Sequence, residues 1–582
     1  MENRWIISQL SLSERSVCDK LAEELGISLI AASMLVRRNI HTASEARAFL
    51  YPEISMLHDP FLMNDMERAV ERLDKAVQAK ERILVYGDYD VDGTTAVSLM
   101  YKFLCKVAGN AETQLDYYIP DRYTEGYGVS LRGIDYAAST SCTLIVALDC
   151  GIKNVDEVKY AAEKGIDFII CDHHLPGEHI PDAVAVLDAK RADTTYPFGE
   201  LCGCGVGFKL AQAYALRHNI PFSEIEPLLG FVAMAIASDI VPIVGENRVL
   251  AHFGIRNLNE HPAIGIESIM RVGGVEKGKL TVNDLVFKLG PRVNACCRIR
   301  SAKDAVRLLI TEDAAEAASM SEEIDRHNLV RKDLDQQITA EALSSLEADP
   351  HNTEHFSTVV CGDNWHKGVV GLVASRLINH YYRPTIVLTQ TDGMVSGSGR
   401  SVEGFDLYSA VASCHELLTT YGGHTFALGL SLKPENLPAF KQQFEAYVRN
   451  HIQPEQRQPV VNVEAEISFA DITEHFFDTL MLFEPFGPGN PRPVFLTRSV
   501  CNYHNTRRVG KQGEHLKLDI TDGTGVKDGI AFGKGEYCMP LLNGQRFDVC
   551  YILDENIFNG RKTIQMIAQD LKPSASADNS IQ

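Results

Sequence analysis

The chain has 582 residues, of which 45% are apolar and 23% charged, so it is expected to form roughly three to five domains of an ordinary globular protein. The formal net charge of −21 at pH 7 argues against a surface that binds polyanions over its whole area, although it is compatible with a local basic groove. The fourteen cysteines include no Cys-x-x-Cys spacing, so neither a zinc ribbon nor a disulfide framework is indicated.

The N-terminal segment, residues 1–75, is predicted to be mostly helical. Leu21, Ala22, Leu25 and the run 27–35 place apolar side chains at helical spacing. The chain begins without an apolar signal core, and no run of about 18 apolar residues occurs in it. We therefore expect a cytoplasmic protein with reduced thiols and no membrane segment.

Three carboxylates follow the apolar run 82–86 at every second position, as Asp88, Asp90 and Asp92. The residues after them have helical periodicity, so the carboxylates lie where a buried strand passes into a helix. Crowded carboxylates need a neutralising cation, and a pair of hard divalent ions fits best. A solvated acidic turn is the alternative. A calcium loop is poorly supported, because the twelfth position is Leu99 rather than Glu.

Three more polar clusters follow predicted elements farther along the chain. Asp149 ends the run 143–148, the trio Asp172, His173 and His174 ends the run 167–171, and Asp239 follows the helix-like run 228–237. A further strand is predicted at 184–187. Strands that alternate with helices predict a parallel sheet, so these clusters share its carboxyl edge.

Taken singly, Asp149 could be a helix cap and the histidines could be satisfied turn residues. Together at one sheet edge, they predict mixed oxygen and imidazole ligation. That donor set suits two Mn²⁺ or Mg²⁺ ions better than structural zinc. Two such ions imply hydrolysis of a phosphate ester.

The motifs in order resemble the DHH phosphoesterase superfamily. Within it, the chain is similar over about residues 45–573 to the bacterial exonucleases that degrade single-stranded DNA from the 5′ end. The motifs are 88–93, 148–151, 172–174 and 237–239, followed by 123–128, 204–209, 290–295, 365–371, 396–401, 422–424 and 486–491.

The resemblance implies roles for individual residues. The metal ligands would be Asp88, Asp90, Asp92, Asp149, His173 and Asp239, with Asp149 bridging the ions. His174 would contact the scissile phosphate or assist proton transfer, Asp172 would orient the histidines, and these two with Asp149 form the catalytic set. The substrate-binding residues would be Arg122, Tyr127, Arg292, Asn294, Arg298, His366, Ser398, Arg400, Ser401, Gly422, Gly423 and His424. One departure is Cys297, which stands where the family usually has glycine and so affects the local backbone beside Arg298.

The expected fold is α/β, with two α/β domains joined by a long helix and followed by an OB-type β-barrel. The predicted domains are a helical segment at 1–75, a DHH catalytic domain at 76–310, a connecting helix at 311–350, a DHHA1 domain at 351–452, an OB domain at 456–573 and a disordered tail at 574–582. In the DHHA1 domain, a glycine-rich turn at 397–401 and the segment 422–424 could cradle phosphates with their backbone amides.

A basic segment of the barrel, residues 498–517, is predicted to bind single-stranded nucleic acid. Arg507 and Arg508 lie there with Lys511 and Lys517 beside the rings of Tyr503 and His504. A solvated hairpin face is the alternative.

We expect an exonuclease with two Mn²⁺ or Mg²⁺ ions that degrades single-stranded DNA 5′→3′ to nucleoside 5′-monophosphates in DNA repair and recombination. The resemblance implies a single-strand-binding protein and a helicase as partners, and a monomer. A second hypothesis is a small-substrate DHH phosphodiesterase acting on short RNA or cyclic dinucleotides, which would not need the barrel. A third is a non-catalytic DNA-binding scaffold, which would not need the complete motif set.

Overall fold

The computed structural model describes residues 3–7, 9–108, 114–122, 124–299, 301–391, 393–558 and 561–574. The tail predicted from residue 574 therefore lies outside the described part of the chain, except for Ser574. The chain divides into two compact units. One consists of Met1–Ala46, Asp333–Phe483 and Arg492–Gln582, and the other of Arg47–Lys332 and Glu484–Pro491.

The α-helices of five or more residues have these bounds: Leu12–Leu25, Leu29–Arg37, Ala43–Leu50, Met66–Gln78, Val91–Val107, Leu131–Ser139, Val155–Glu163, Gly203–Arg217, Leu229–Ser238, Gly245–Glu260, Ile264–Val272, Gly290–Ile299, Ala302–Ile310, Ala314–Glu347, Val370–Tyr381, Leu407–Ala412, Leu437–His451, Glu474–Met481 and Cys538–Leu542. A π-helix spans Leu285–Leu289. Among the described residues, none of these helices combines the length and apolar character needed to cross a membrane.

The strands have these bounds: β1 Arg4–Ile7, β2 Arg82–Gly87, β3 Leu115–Tyr118, β4 Cys142–Leu148, β5 Asp167–Cys171, β6 Ala185–Leu187, β7 Thr358–Asp363, β8 Thr385–Thr391, β9 Met394–Arg400, β10 Leu418–His424, β11 Ala427–Leu432, β12 Val460–Val463, β13 Ala465–Glu466, β14 Phe495–Asn502, β15 Arg507–Val509, β16 His515–Thr521, β17 Val526–Ala531, β18 Phe547–Phe558 and β19 Arg561–Pro573.

A five-stranded parallel sheet forms the centre of the unit that contains the acidic motifs. Its order is β3-β2-β4-β5-β6, and every neighbouring pair runs parallel. Helices cover both faces of this sheet. The apolar core on one face includes Phe103 and Phe208, and the core on the other face includes Ile134 and Val158. The strands are apolar almost throughout because both faces are buried. The predicted parallel sheet is confirmed, and its carboxyl edge carries the polar clusters.

The second α/β part has a mixed sheet in the order β10-β11-β9-β8-β7. The long helix Ala314–Glu347 contributes Ile338, Ala342 and Leu346 to its core. The prediction of a glycine-rich turn at 397–401 is wrong. Residues 397–400 belong to β9, which pairs with β8 on one side and β11 on the other. Glycine is needed there because strands approach closely: a Cβ on Gly397 would lie 2.0 Å from the carbonyl oxygen of Val387.

The C-terminal sheet closes on itself. β14 pairs with β18, β18 with β19, β19 with β17, β17 with β16, and β16 again with β14. The five strands form a small closed barrel of the OB type, as predicted. Its interior contains Tyr551, whose hydroxyl forms a hydrogen bond of 2.8 Å with Thr497 Oγ1.

The N-terminal residues pack on this C-terminal region, a contact that sequence analysis did not anticipate. Strand β1 pairs in parallel with β12. The indole Nε1 of Trp5 donates to Asp570 Oδ2 at 2.9 Å, and the Arg38 guanidinium lies over the Phe483 ring. The segment expected to be helical over 1–75 therefore begins with a strand, and its residues up to Ala46 group with the C-terminal unit.

Candidate active site

The turn after β2 holds the first carboxylates. Asp90 caps the helix Val91–Val107, and its Oδ1 accepts from the Gly93 amide at 3.0 Å. Asp88 is buried two residues before it, and the Oδ1 of Asp88 has no hydrogen-bond partner among the described residues. A parallel strand that passes into a helix thus sets two carboxylates at the sheet edge.

Asp149 follows β4 with a φ of 59°, in the left-handed region that non-glycine residues rarely adopt. Its amide donates to the Cys171 carbonyl at 2.9 Å, and its own carbonyl accepts from the Tyr127 hydroxyl at 3.2 Å. Backbone contacts on both sides therefore fix this residue in a costly conformation, as is common at functional sites.

Asp92 joins this turn to the helix Gly203–Arg217. Its two carboxylate oxygens accept the amides of Gly203 and Cys204, each at 2.7 Å. A Cβ on Gly203 would lie 2.6 Å from Asp149 Oδ1, so only glycine fits beside that carboxylate. No sequence pattern indicates the role of Gly203, because a single glycine gives no signal of what it faces in the fold.

His173 lies among three of these carboxylates. Its Nε2 is 3.2 Å from Asp149 Oδ1, 3.6 Å from Asp239 Oδ2 and 3.9 Å from Asp92 Oδ2. Burial, with the charge of His174 beside it, lowers the pKa of His173 to about 3. The ring is therefore neutral at physiological pH, which is the form that binds metal.

Asp172 and His174 form a hydrogen-bonded pair at the same edge. Asp172 Oδ1 lies 2.7 Å from His174 Nδ1, and Asp172 Oδ2 accepts from the Ile152 amide at 2.9 Å. Burial opposes both charges. The hydrogen bond nevertheless raises the pKa of His174, and together with the Ile152 amide it lowers the pKa of Asp172. The Tyr127 hydroxyl is 3.0 Å from His174 Nδ1 and helps to hold the ring.

These side chains form three overlapping groups with donor atoms close enough to share an ion. The groups are Asp88, Asp90 and Asp149; Asp149, His173 and His174; and Asp92, His173 and Asp239. Asp149 belongs to two of them, and so does His173. This overlap is the arrangement that two neighbouring ions with a shared carboxylate require.

The electrostatics of the cluster fit a pair of cations. Burial, followed by the repulsion of neighbouring carboxylates, raises the pKa values of Asp88, Asp92 and Asp149. The same causes raise the pKa of Asp239 to about 7. Asp149 Oδ1 is buried and accepts no hydrogen bond from the described residues. Hard divalent ions would neutralise this charge and coordinate the free oxygens.

Several residues expected to bind substrate lie in the same unit as this cluster. The Arg122 guanidinium lies over the Tyr89 ring at 4.9 Å and lines a cavity of about 260 Å³. Cys297 lines the same cavity, and its Sγ is 3.7 Å from the Val293 carbonyl inside the helix Gly290–Ile299. The cysteine is thus accommodated in regular helix, and Asn294 and Arg298 lie on the same helix, half-buried.

Arg292, expected to bind substrate, makes internal contacts in the structure. It is buried, its Nε donates to Asp325 Oδ1 at 2.9 Å, and its Nη1 donates to the Lys288 carbonyl at 2.7 Å. Nη2 donates to the Val272 carbonyl at 3.2 Å. At least three of its five N–H donors are thus used within the same unit, which argues against the expected contact with a phosphate.

Most of the expected substrate residues of the mixed sheet lie on β9 and β10, which are separated by β11. Ser398 and Arg400 belong to β9, and Arg400 Nη1 donates to the Gly399 carbonyl at 2.8 Å. Gly422, Gly423 and His424 are exposed on the edge strand β10. Two further residues are held locally: Ser401 Oγ donates to the Phe405 carbonyl at 2.7 Å, and His366 Nδ1 accepts from the Gly368 amide at 3.1 Å. Because the β9 amides serve the sheet, phosphate contact there falls to side chains.

The barrel presents exposed cations and rings where sequence analysis expects nucleic acid. Arg507 and Arg508 are exposed on β15, although Arg508 Nε also donates to the Gly535 carbonyl at 2.9 Å. Tyr503 and His504 lie next to each other with ring centroids 3.9 Å apart. Sequence analysis missed Phe532, which is exposed and packs edge-on against His515.

Three family models match the chain. They are the DHH family, N-terminal domain, over residues 82–236; the DHHA1 domain over residues 353–450; and the RecJ OB domain over residues 463–570.

Known proteins resemble the chain over nearly its full length. The single-stranded-DNA-specific exonuclease RecJ of Bacillus subtilis (strain 168) is 35% identical over 569 residues, which are 97% of this chain and 70% of that protein. The crystal structure of RecJ in complex with Mn²⁺ from Thermus thermophilus is 27% identical with a TM-score of 0.83, and the match covers 98% of this chain and 80% of that one. The Mg²⁺ complex from the same organism is 26% identical with a TM-score of 0.77, over 98% of this chain and 79% of that one. The chain belongs to the RecJ family of DHH phosphoesterases.

Proposed function

We propose that the chain is a metal-dependent exonuclease that degrades single-stranded DNA from the 5′ end to nucleoside 5′-monophosphates. The observation that carries this proposal is the position of Asp149, whose carboxylate is shared by two groups of potential ligands at one sheet edge. Family membership supplies the substrate class, because the curated relatives are named as single-stranded-DNA-specific exonucleases.

Two ions of Mn²⁺ or Mg²⁺ would be held by Asp88, Asp90, Asp92, Asp149, His173 and Asp239. When bound, they would lower the pKa of water and stabilise the negative charge that develops on the phosphate. The T. thermophilus relatives have been crystallised with each of these metals. Asp92 has the most constrained place in this set, because its oxygens already accept two backbone amides.

His174 is proposed to donate a hydrogen bond or a proton to the scissile phosphate group. Burial alone would lower its pKa, but its contact with Asp172 raises it, which favours the protonated ring. A cation at this position complements the negative charge of a phosphodiester and of its departing oxygen. Asp172 and Tyr127 would position the ring.

The single-stranded DNA is proposed to contact side chains of the catalytic unit, of the mixed sheet and of the barrel. Arg122, Asn294 and Arg298 lie in the catalytic unit, Ser398, Arg400 and His424 on the mixed sheet, and Arg507 and Arg508 on the barrel. The remaining residues proposed to bind the strand are His366, Ser401, Gly422 and Gly423. Cations beside stacking rings are typical of single-strand binding.

The same proposal includes the location, oligomeric state, partners and domain boundaries of the protein. We place the protein in the cytoplasm as a monomer that acts in DNA repair and recombination with a single-strand-binding protein and a helicase. The domain boundaries proposed from the sequence are retained, with the catalytic domain at 76–310 and the OB domain at 456–573.

The proposal is tested with an internally labelled single-stranded oligonucleotide and Mn²⁺. Labelled mononucleotides should appear when the 5′ end is free and should not appear when it is blocked, and a duplex of the same sequence should resist. A cyclic dinucleotide serves as the control substrate. Its cleavage with the long strand left intact would refute the proposal in favour of a small-substrate phosphodiesterase.

A further inference from the structure

Ile240 has a backbone conformation that its side chain disfavours. It follows Asp239 at the end of the helix Leu229–Ser238, and its φ is 61°. This position after a helix normally holds glycine or asparagine, because a branched Cβ clashes with the backbone in the left-handed region. An isoleucine here is therefore a costly choice that local folding does not require.

Firm contacts on both sides of Ile240 hold this conformation. The Asp239 amide donates to the Ala235 carbonyl at 2.9 Å, and the Ile243 amide donates to the Pro488 carbonyl at 2.7 Å. Asn247 Nδ2 donates to the Pro242 carbonyl at 3.0 Å. The hydrogen bonds that set this backbone path thus do not involve the Ile240 side chain, most of which is exposed.

That side chain is 66% exposed, although its neighbour Val241 is buried. The preceding residue, Asp239, has its Oδ2 only 3.6 Å from His173 Nε2, inside the proposed metal cluster. Adjacent Cα atoms are about 3.8 Å apart, so the backbone of Ile240 lies directly beside a residue of that cluster. A nucleotide with its phosphate at the cluster would therefore have its neighbouring atoms close to this exposed apolar residue.

We propose that Ile240 contacts the nucleobase next to the scissile phosphate and positions that nucleotide at the cluster. This inference rests on the proposed function of the site. The phosphate is polar and charged, whereas the base offers a flat, largely apolar face that gains from leaving water against an aliphatic side chain. Such a contact does not depend on which base is present, so it suits an exonuclease that degrades DNA of any sequence.

The test is a coupling experiment between the side chain and the base. Three 5′-phosphorylated oligonucleotides carry a tetrahydrofuran abasic unit at the first nucleotide, at the second or at neither, and kcat/KM is measured with Mn²⁺. On the unmodified strand, Ile240→Asn should lower kcat/KM about tenfold. For the wild-type protein, one of the abasic strands should lose a similar factor. Combining the variant with that strand should cost little more than either change alone.

Leu216→Asn is the matched control. Leu216 is also apolar and 54% exposed, but it lies near the far end of the helix Gly203–Arg217. It should show wild-type kcat/KM on the unmodified strand and the wild-type loss on the abasic strand. If Ile240→Asn loses the full wild-type factor at both abasic positions, the base contact is refuted.

A second readout tests the backbone argument without activity. Asparagine tolerates the left-handed region, so Ile240→Asn should unfold at a temperature no lower than the wild-type protein. A lower unfolding temperature would contradict the claim that the isoleucine is locally unfavourable. The variant Asp149→Asn separates this inference from the proposed function. If only the role of Ile240 is wrong, Asp149→Asn still abolishes hydrolysis.

Discussion

Gly203 offers a sharp test of the cluster geometry, because it touches the shared carboxylate without being a ligand. In Gly203→Ala, the new Cβ would lie 2.5 Å from Asp149 Cβ and 2.6 Å from Asp149 Oδ1. Ordinary contacts begin near 3.4 Å, so the two groups must separate by about 0.8 Å. A displacement of this size at reacting groups costs about 10²-fold, which corresponds to about 2.7 kcal/mol of transition-state stabilisation.

Gly205→Ala is the control within the same helix. Its Cβ would meet Cys202 Sγ and Leu201 Cδ2 at 3.5 Å, an ordinary contact distance. Both changes replace glycine by the better helix former. We expect Gly203→Ala to lose about 10²-fold in the rate of mononucleotide release and to bind Mn²⁺ more weakly in a calorimetric titration, whereas Gly205→Ala stays within about twofold of the wild-type protein in both. Wild-type turnover by Gly203→Ala would refute the close approach of this helix to Asp149.

Three other predictions follow from the contacts described above. Arg292→Met should lower the free energy of unfolding, measured with urea, by about 3 kcal/mol, because it leaves Asp325 without its cation. The same variant should change the KM for the oligonucleotide little. A large rise in KM with unchanged stability would instead support a substrate role for Arg292. In the metal-free protein, the raised pKa of Asp239, about 7, means that the folded state binds more protons than the unfolded state between about pH 4 and pH 7. Within the proposed ligand set, the raised pKa values of Asp88, Asp92 and Asp149 act in the same direction, against the single opposing effect of the lowered pKa of His173. Stability should therefore fall as pH rises through that range, and saturating Mn²⁺ should remove the trend in thermal unfolding. Rising stability without metal would contradict the assignment. Trp5→Ala should lower the free energy of unfolding by about 2 kcal/mol, since it removes the ring packing and the hydrogen bond to Asp570. Proteolysis should then release the N-terminal strand faster. An unchanged cleavage rate would show that β1 is held by its backbone pairing alone.

The convergence of the acidic motifs could be predicted from sequence because one rule of geometry controls it. Parallel strands joined by helices place their carboxyl ends at one edge, so Asp88, Asp149 and His173 had to approach one another once the strands were identified. The chemistry of the donor set followed from the residue types. The distances and the shared position of Asp149 depend on backbone angles such as its positive φ, which no local pattern encodes.

Contacts between distant segments account for what sequence analysis missed. Arg292 resembles a phosphate ligand in sequence, and only the fold brings Asp325 and two carbonyls to it. The glycines around Gly397 resemble a turn, but they allow β9 to pass close to its neighbours. Strand β1 pairs with a partner more than 450 residues away, a pairing that depends on tertiary packing rather than local propensity.

The role of Asp149 as a carboxylate shared by two ions is tested by comparing wild-type protein with Asp149→Asn, in Mn²⁺ binding and in hydrolysis of a single-stranded oligonucleotide. Asparagine tolerates the positive φ of this position, so the backbone is retained while one carboxylate charge is removed. We expect a normally folded variant that loses at least one of two bound ions and releases mononucleotides more than about 10³-fold more slowly. Two ions bound with wild-type affinity and undiminished hydrolysis would contradict this role.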